Sequence, residues 1–425
     1  MPLSETEKVV EIRDPLHGYV GLTKLESQLL SLRLCQRSRT IRVPAGVFLV
    51  YPGAEASLMS HMLGYMHMVT IFLDSLGSEH EDVLRGRLTA MLLTLARGPW
   101  SNVMDEYLST RGHDMRRRAE EVVRRSAATD MLQASEFSLD EIVDCIQKGV
   151  PLDGTRVDIH TVPVNPRLVD MLMRDAYFSG VQYAQLEYRR LFNSMRPMKN
   201  QIGIERSSLF TLESYISAGA NMFEAVYYHR AVRAAELMLL RVLDSAGRLL
   251  FRNPGDGPID FFECDDITFQ DHLCRVSEGD PEEMKTASKI YNAFRRRYLL
   301  KEASSRAISD PEFIERLSRL DGAYSFEREV AEAVGIEPSL VYVDFPNRDS
   351  VSFYPCRLAI DQIVLFERGS RGYETWRFDE LSVVARSLKQ RTMTIRVYTT
   401  RGYRQKVKKE ADSILESVDP AGSLV

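Results

Sequence analysis

Between Leu58 and Leu73 the chain runs for sixteen residues without an Asp, Glu, Lys or Arg. A bilayer span needs roughly twenty apolar residues, and this stretch also carries His61 and His67, so it does not read as a membrane segment. Met59, Met62, Leu63 and Met66 recur at helical spacing, which predicts a helix packed in a core. Gly53 marks the turn ahead of it, and Arg85 to Leu95 reads as a second buried helix stopped before Gly98-Pro99. Leu168 to Phe178 and Leu212 to Leu243 give further helical runs, so residues 1–335 are expected to form a helical bundle with its pocket between helices.

After Pro338 the pattern changes. Leu340–Asp344, Ile363–Phe366 and Met393–Tyr398 are β-rich, whereas Glu380–Lys389 and Arg404–Val418 look helical. The fold class expected is mainly α, with residues 336–425 forming a small α+β C-terminal domain. No repeat, phosphate-binding glycine loop or low-complexity tract interrupts this plan.

A net charge of -5 argues against a general nucleic-acid binder, which would present a basic face. Arg116–Arg118 is a local exception, but Arg116 with Glu120 and Arg117 with Glu121 have the spacing of helix ion pairs and read as a solvated face. Arg295–Arg297 is the other basic run. The five cysteines, at 35, 145, 264, 274 and 356, show no CxxC spacing, and no secretory leader is evident. A reduced, cytoplasmic protein with no membrane association is expected.

Several motifs then occur in a telling order. They are Ile12–Tyr19 with Asp14-Pro15 and His17-Gly18, Cys35–Arg39 with Gln36-Arg37, Tyr51–Gly64 with His61, Met91–Asn102, Asp170–Gly180 with Arg174-Asp175, and Val226–Arg230 with Tyr227. Together they resemble the HD-domain phosphohydrolases related to deoxynucleoside triphosphate triphosphohydrolases. That family reads "DP.HG", "QRLR", "YPGA…RFEHSLG", "LLHDIGHGPFSH", "DYLLRD…TG" and "VY.HK" in the same order. The likeness continues from Leu340 to Val407, so it covers nearly the whole chain and implies an HD-domain helical bundle.

The resemblance also implies where the family's metal would sit. Its first histidine matches His61, its His-Asp pair falls on Leu93 and Thr94, and its later aspartate falls on Arg167. Leucine offers no lone pair, threonine is a poor neutral ligand, and a guanidinium repels a divalent cation. Two further family histidines fall on Arg97 and Asn102, the arginine of "RFEH" on Leu58, and a substrate-shell arginine on Gly219. The scaffold motifs are kept while the reactive atoms are lost. No metal and no other cofactor is expected.

The remnants of the catalytic set are His61, Asp105 and His113, which need no more than a buried His–Asp hydrogen bond to explain them. His113-Asp114 is the one literal His-Asp pair, and it reads as the start of an exposed helix. Arg97 and Arg167 stand where ligands are lost; they either bind a phosphate or carboxylate or form an internal salt bridge, for instance to Asp105. Alternating Val and Ile between Arg156 and Pro166 suggest a short strand that places Arg167 at a helix start. A cation there opposes the helix dipole and calls for an acid or bound anion as partner.

If the pocket holds a ligand, Gln36, Arg97, Arg167, Asp175 and Tyr227 are the expected contacts. The favoured reading is a catalytically inactive HD-domain protein that binds a nucleotide or other anion, or acts as a scaffold or regulatory partner of an active relative. A metal-dependent nucleotide phosphohydrolase with a rearranged site built on His61, Asp105, His113 and Glu187 is the alternative, and a purely structural homo-oligomer a third.

Overall fold

The computed structural model describes residues 8–419 apart from 154, 199–200, 252–258, 309, 346–359, 371 and 390–392. Cys356 lies outside the described residues.

The uncharged stretch is a helix, Leu58–Ser75, capped by Ser57 and buried on nearly every side. It packs against His80–Leu95, whose interior is also almost wholly buried. A helix apolar all round has no solvent face and belongs in a core. The one buried cation of the second helix, Arg87, is held by Glu26 at 2.7 and 2.8 Å, by Thr70 Oγ1 at 2.9 Å and by the Gly21 carbonyl at 2.7 Å.

Pro166–Ser179 crosses Leu58–Ser75 at Gly64. A Cβ at Gly64 would lie 2.0 Å from Asp170 Oδ1 and 2.3 Å from Arg174 Nη2, so only glycine allows the two helices this approach. The helix starts as expected. Thr155–Val157 is a short strand, Asn165 caps the helix by accepting from Leu168 N, and Pro166 fills the first turn ahead of Arg167.

The expected single run from Leu212 to Leu243 is divided in two. Leu209–Met222 ends in a wide π turn over Phe223–Tyr227, after which Arg230–Leu250 begins. Apolar periodicity alone does not reveal a π turn, which often marks a functional position. A further correction concerns Arg116, which turns away from Glu120 to the carbonyls of Ile146 and Gln147 and to Asp158. Glu120 pairs with Arg124 instead, at 2.8 Å.

The C-terminal β runs appear as Val341–Asp344, Val364–Gly369 and Met393–Thr399. The first and third join Lys301–Ile308 in an antiparallel sheet with Met393–Thr399 at its centre. Helices Pro311–Ser318, Leu320–Val334 and Arg404–Val418 complete that core. Gly335 is the left-handed cap of Leu320–Val334, and this core draws residues from both sides of it, from Ala303 to Ala331 as well as from Val341 onward. Val364–Gly369 pairs in parallel with Gln201–Glu205, and Ile360 to Leu388 packs on the first helical core.

Arg230–Leu250 links these parts. It packs on Glu282–Arg295, while Arg241 Nη2 reaches Glu327 at 2.7 Å and its guanidinium lies 4.5 Å from the Tyr342 ring centre. No described helix is long and apolar enough to cross a membrane.

The Gly64 crossing yields the first prediction. Gly64→Ala forces the two helices apart or displaces the Asp170–Arg174 pair, and is expected to destabilise the fold by roughly 2–3 kcal/mol. Urea unfolding measures this; a loss below about 0.5 kcal/mol would refute the tight crossing.

Candidate functional site

The motif residues converge on one buried carboxylate. Asp170 accepts from His17 Nε2 and His61 Nδ1, each at 2.7 Å, and from Arg174 Nε and Nη2 at 3.1 and 2.9 Å. Arg174 Nη1 donates in turn to Asp14 Oδ2 at 2.8 Å. Asp14 shapes the turn of the Val10–Asp14 and Gly18–Leu22 hairpin by accepting from the backbone of Leu16 and His17. Burial alone would raise the Asp170 carboxyl, but Arg174 and the two imidazole hydrogen bonds hold it well below the usual carboxylate range. Both rings therefore donate to it. Burial pushes His61 down to about 4, so its ring is neutral with the proton on Nδ1. Its Nε2 is buried with no hydrogen-bond partner among the described residues.

Beside this knot lies a cavity of about 650 Å³ between the helices, a size suited to a small-molecule ligand. Arg97, Asp105, His113, Arg167, Asp175 and Tyr227 line it, together with Arg118 and His160. Gln36 is not among the lining residues. Its amide donates to the Leu30 carbonyl at 2.7 Å and its oxygen accepts from Arg39 at 2.8 Å. The neighbouring Arg37 instead braces the turn after His80–Leu95, donating to the carbonyls of Leu95 and Arg97 at 2.8 and 2.7 Å.

Of the positions that the resemblance would give to metal ligands, Leu93 and Thr94 are buried and do not line the cavity. Leu93 is packed in the core, and Thr94 Oγ1 donates to the Ala90 carbonyl of its own helix at 2.8 Å. Among the described residues, no group of three or more His, Cys, Asp or Glu is arranged to hold a metal ion.

Asp105 is occupied by two arginines, Arg97 at 3.2 Å and Arg118 at 3.0 Å. The salt bridge from Arg97 to Asp105 is thus present. Among the described residues, the His–Asp bond expected within the remnants is not made: Asp105 is held by the two arginines, His61 bonds to Asp170, and His113 gives its backbone carbonyl to Arg118. Arg167 makes no ion pair with an acid among the described residues, although the Asp105 charge acts on it from nearby. Its Nε and Nη1 are buried with no hydrogen-bond partner among the described residues. Burial, and then the nearby Arg97, lower its pKa to about 10, so it remains charged at neutral pH. His160 Nδ1 is likewise buried and unpartnered. Burial and the Arg167 charge push that ring well below the usual histidine value.

Toward the other end of the cavity, Tyr227 on the π turn donates to Asp175 Oδ2 at 2.6 Å. Burial pushes the Asp175 carboxyl up to about 7 despite that bond. Arg233 on the opposite wall is fork-bound to Asp344 Oδ1 at 2.8 Å and Oδ2 at 3.1 Å, and also to Glu236 at 2.7 Å. Asn102, at a position that matches a family histidine, bridges the Ala45 backbone and Glu236 at 2.8 and 2.6 Å. The turn leading to it holds Trp100 and Ser101 at positive φ of 54° and 21°. Such strain costs about 1–3 kcal/mol per residue. Trp100 is held by its backbone N on Asp266 Oδ1 at 2.7 Å and by its ring against Phe269 and Tyr291.

Residues 186–422, more than half of the chain, match the family model described as the HD associated region. The chain belongs to this HD-associated family. Uncharacterized protein YwfO of Bacillus subtilis is 28% identical over 271 residues, 58% of this chain and 57% of that protein. Uncharacterized protein MJ1154 of Methanocaldococcus jannaschii is 27% identical over 236 residues, covering 55% of this chain and 49% of that protein. The chain thus spans about half the length of these curated relatives. Human SAMHD1, a deoxynucleoside triphosphate triphosphohydrolase, is 30% identical over 108 residues, 24% of this chain and 17% of that protein. The family match and this weaker likeness support a relationship to HD-domain, phosphohydrolase-like proteins. A crystal structure of a hypothetical protein from Aquifex aeolicus shares the fold, with a TM-score of 0.71 at 20% identity over 95% of this chain and 99% of that one.

Sequence reasoning passed over Asp170, Arg118 and His160. Asp170 opens the very motif that ends in Arg174-Asp175, so its signal was available; His160 carries no sequence signal.

Two predictions test the site's electrostatics. Asp170→Asn leaves Arg174 without its buried counter-charge and is expected to cost about 3–5 kcal/mol in denaturant unfolding; an unchanged midpoint would contradict this. Asp175 keeps its proton in the folded state up to about 7, whereas an unfolded aspartate loses it near 4. The folded state is therefore penalised progressively as pH rises through that window. Asp175→Asn removes the penalty, so its melting temperature relative to wild type is expected to climb between about pH 4.5 and 7.5. A flat difference across that range would count against the raised carboxyl.

Proposed function

We propose that this HD-associated chain has given up metal-dependent hydrolysis and uses the cavity to bind a nucleotide or another phosphate-bearing anion. The observation that carries the reading is Arg167. Its guanidinium lies on the cavity wall with two buried nitrogens unpartnered among the described residues. It stands at the position that resembles the family's last metal-ligating aspartate. A buried cation with unused donors is costly unless an anion completes it, and Arg97 adds a second guanidinium nearby.

The chemistry of Leu93 and Thr94 supports the loss of the metal, since neither supplies a donor suited to a divalent cation. A lone His61 with one free nitrogen is not enough to activate water as a metal would. That human SAMHD1 is a deoxynucleoside triphosphate triphosphohydrolase supports a nucleotide as the class of ligand. A regulatory or scaffolding role, as a homo-oligomer or beside an active relative, is compatible with such binding.

The test combines three measurements on the full chain. Purified protein is expected to carry no stoichiometric divalent metal by mass spectrometry and to show no triphosphohydrolase turnover of the four deoxynucleotides with manganese or magnesium. Calorimetric titration with the same nucleotides is expected to give binding that Arg167→Ala weakens by roughly tenfold or more, the worth of one charge-assisted contact. Stoichiometric metal with turnover would overturn the reading in favour of a rearranged hydrolase centre using His61, Asp105 and His113; absence of any nucleotide binding at millimolar concentration would remove the ligand.

A further inference from the structure

Each acid on the cavity lining has a hydrogen-bond partner, whereas two of the residues on it, Arg167 and His160, keep buried nitrogens without one among the described residues. Four carboxylates line it among the described residues. Asp105 is taken by Arg97 and Arg118, and Asp114 accepts from the backbone N of Arg117 at 3.0 Å. Asp175 accepts from Tyr227, while Glu236 is held by Arg233 and Asn102. Each of the four is thus already engaged. The unpartnered buried atoms on the same lining are Arg167 Nε, Arg167 Nη1 and His160 Nδ1.

A magnesium ion needs several oxygen ligands and keeps part of its water shell. A phosphate that arrived with magnesium would bring that ion close to Arg97, Arg118 and Arg167, where Asp105 and Glu236 are already paired to arginines. A bare phosphate oxygen set against Arg167 and His160 would meet donors there.

His160 is positioned for such a contact by its loop. Its backbone N donates to Asp158 Oδ1 at 3.0 Å, and the other Asp158 oxygen is bound by Arg116 and by Thr161 Oγ1. This ties the loop from Asp158 to Asn165 onto the Met115–Arg125 helix and sets the imidazole on the cavity wall. A neutral imidazole protonated on Nδ1 donates one hydrogen bond from that atom.

We infer that the cavity selects a phosphate group free of divalent cation and holds it between Arg167 and His160. The inference rests on the anion-binding reading above, and adds to it the charge state of the ligand and a second contact. It reverses the usual role of magnesium at a phosphate site: the ion competes for the ligand.

The probe is sodium pyrophosphate, titrated calorimetrically into the full chain, once in EDTA and once in excess magnesium chloride, with ionic strength matched by potassium chloride. Magnesium is expected to weaken the dissociation constant roughly tenfold or more, because the complexed ligand loses charge facing three guanidiniums. Binding that magnesium leaves unchanged or tightens overturns the inference while the anion site stands. Binding in neither buffer overturns both. In EDTA, His160→Asn is expected to weaken pyrophosphate several-fold with the thermal midpoint kept, and wild-type affinity in that variant removes His160 from the site. The magnesium comparison uses only the wild-type chain, so it decides even where the variant does not fold.

Discussion

One buried carboxylate organises the helical half of this protein. Asp170 collects His17 from the N-terminal hairpin, His61 from the central helix and Arg174 from its own helix, and Arg174 carries the connection on to Asp14. A charge buried this deeply is tolerable only when its lone pairs are filled, and here four donors fill them. Gly64 is glycine because a side chain there would occupy the space of this pair. The segments that resemble the HD-domain motifs are, in large part, the parts of one electrostatic knot.

That knot holds the scaffold independently of the cavity. The hairpin, the crossing helices and His61 are fixed by Asp170, not by anything bound in the cavity. The cavity wall is stabilised separately, by Asp105 between Arg97 and Arg118 and by Arg233 against Glu236 and Asp344. Leu93 and Thr94 contribute ordinary core packing and an ordinary helix hydrogen bond. The strained Trp100–Ser101 turn survives because Asp266 and a cluster of aromatic rings hold it in place.

The helices around His61, the strand before Asn165, the position of Arg167 at a helix start and the C-terminal β runs were legible because each has a local signature. These are an uncharged apolar stripe, a Pro at a helix start and alternating β-branched residues. The π turn at Tyr227 was not, since it keeps the apolar period while widening one turn. Arg116 was misread because four-residue spacing to Glu120 describes a helix surface, whereas Asp158 from a distant loop offers a better geometry. Gln36 belongs to a motif that the cavity uses through Arg37, as a brace on the backbone. Pairings between segments far apart in the chain lie outside the reach of local pattern, which is why His160 and Arg118 emerged only from the fold.

The Arg230–Leu250 helix carries Arg233 on the cavity wall and Arg241 eight residues on, and both are neutralised by acids of the C-terminal sheet and its helices, Asp344 and Glu327. Asp344 therefore acts as a remote counter-ion for a cavity lined by another part of the chain. Clipping the polypeptide ahead of Val341 would remove that counter-ion and leave the Arg233 guanidinium to Glu236 and Glu106. The far end of the molecule thus sets the electrical potential inside a pocket it does not line.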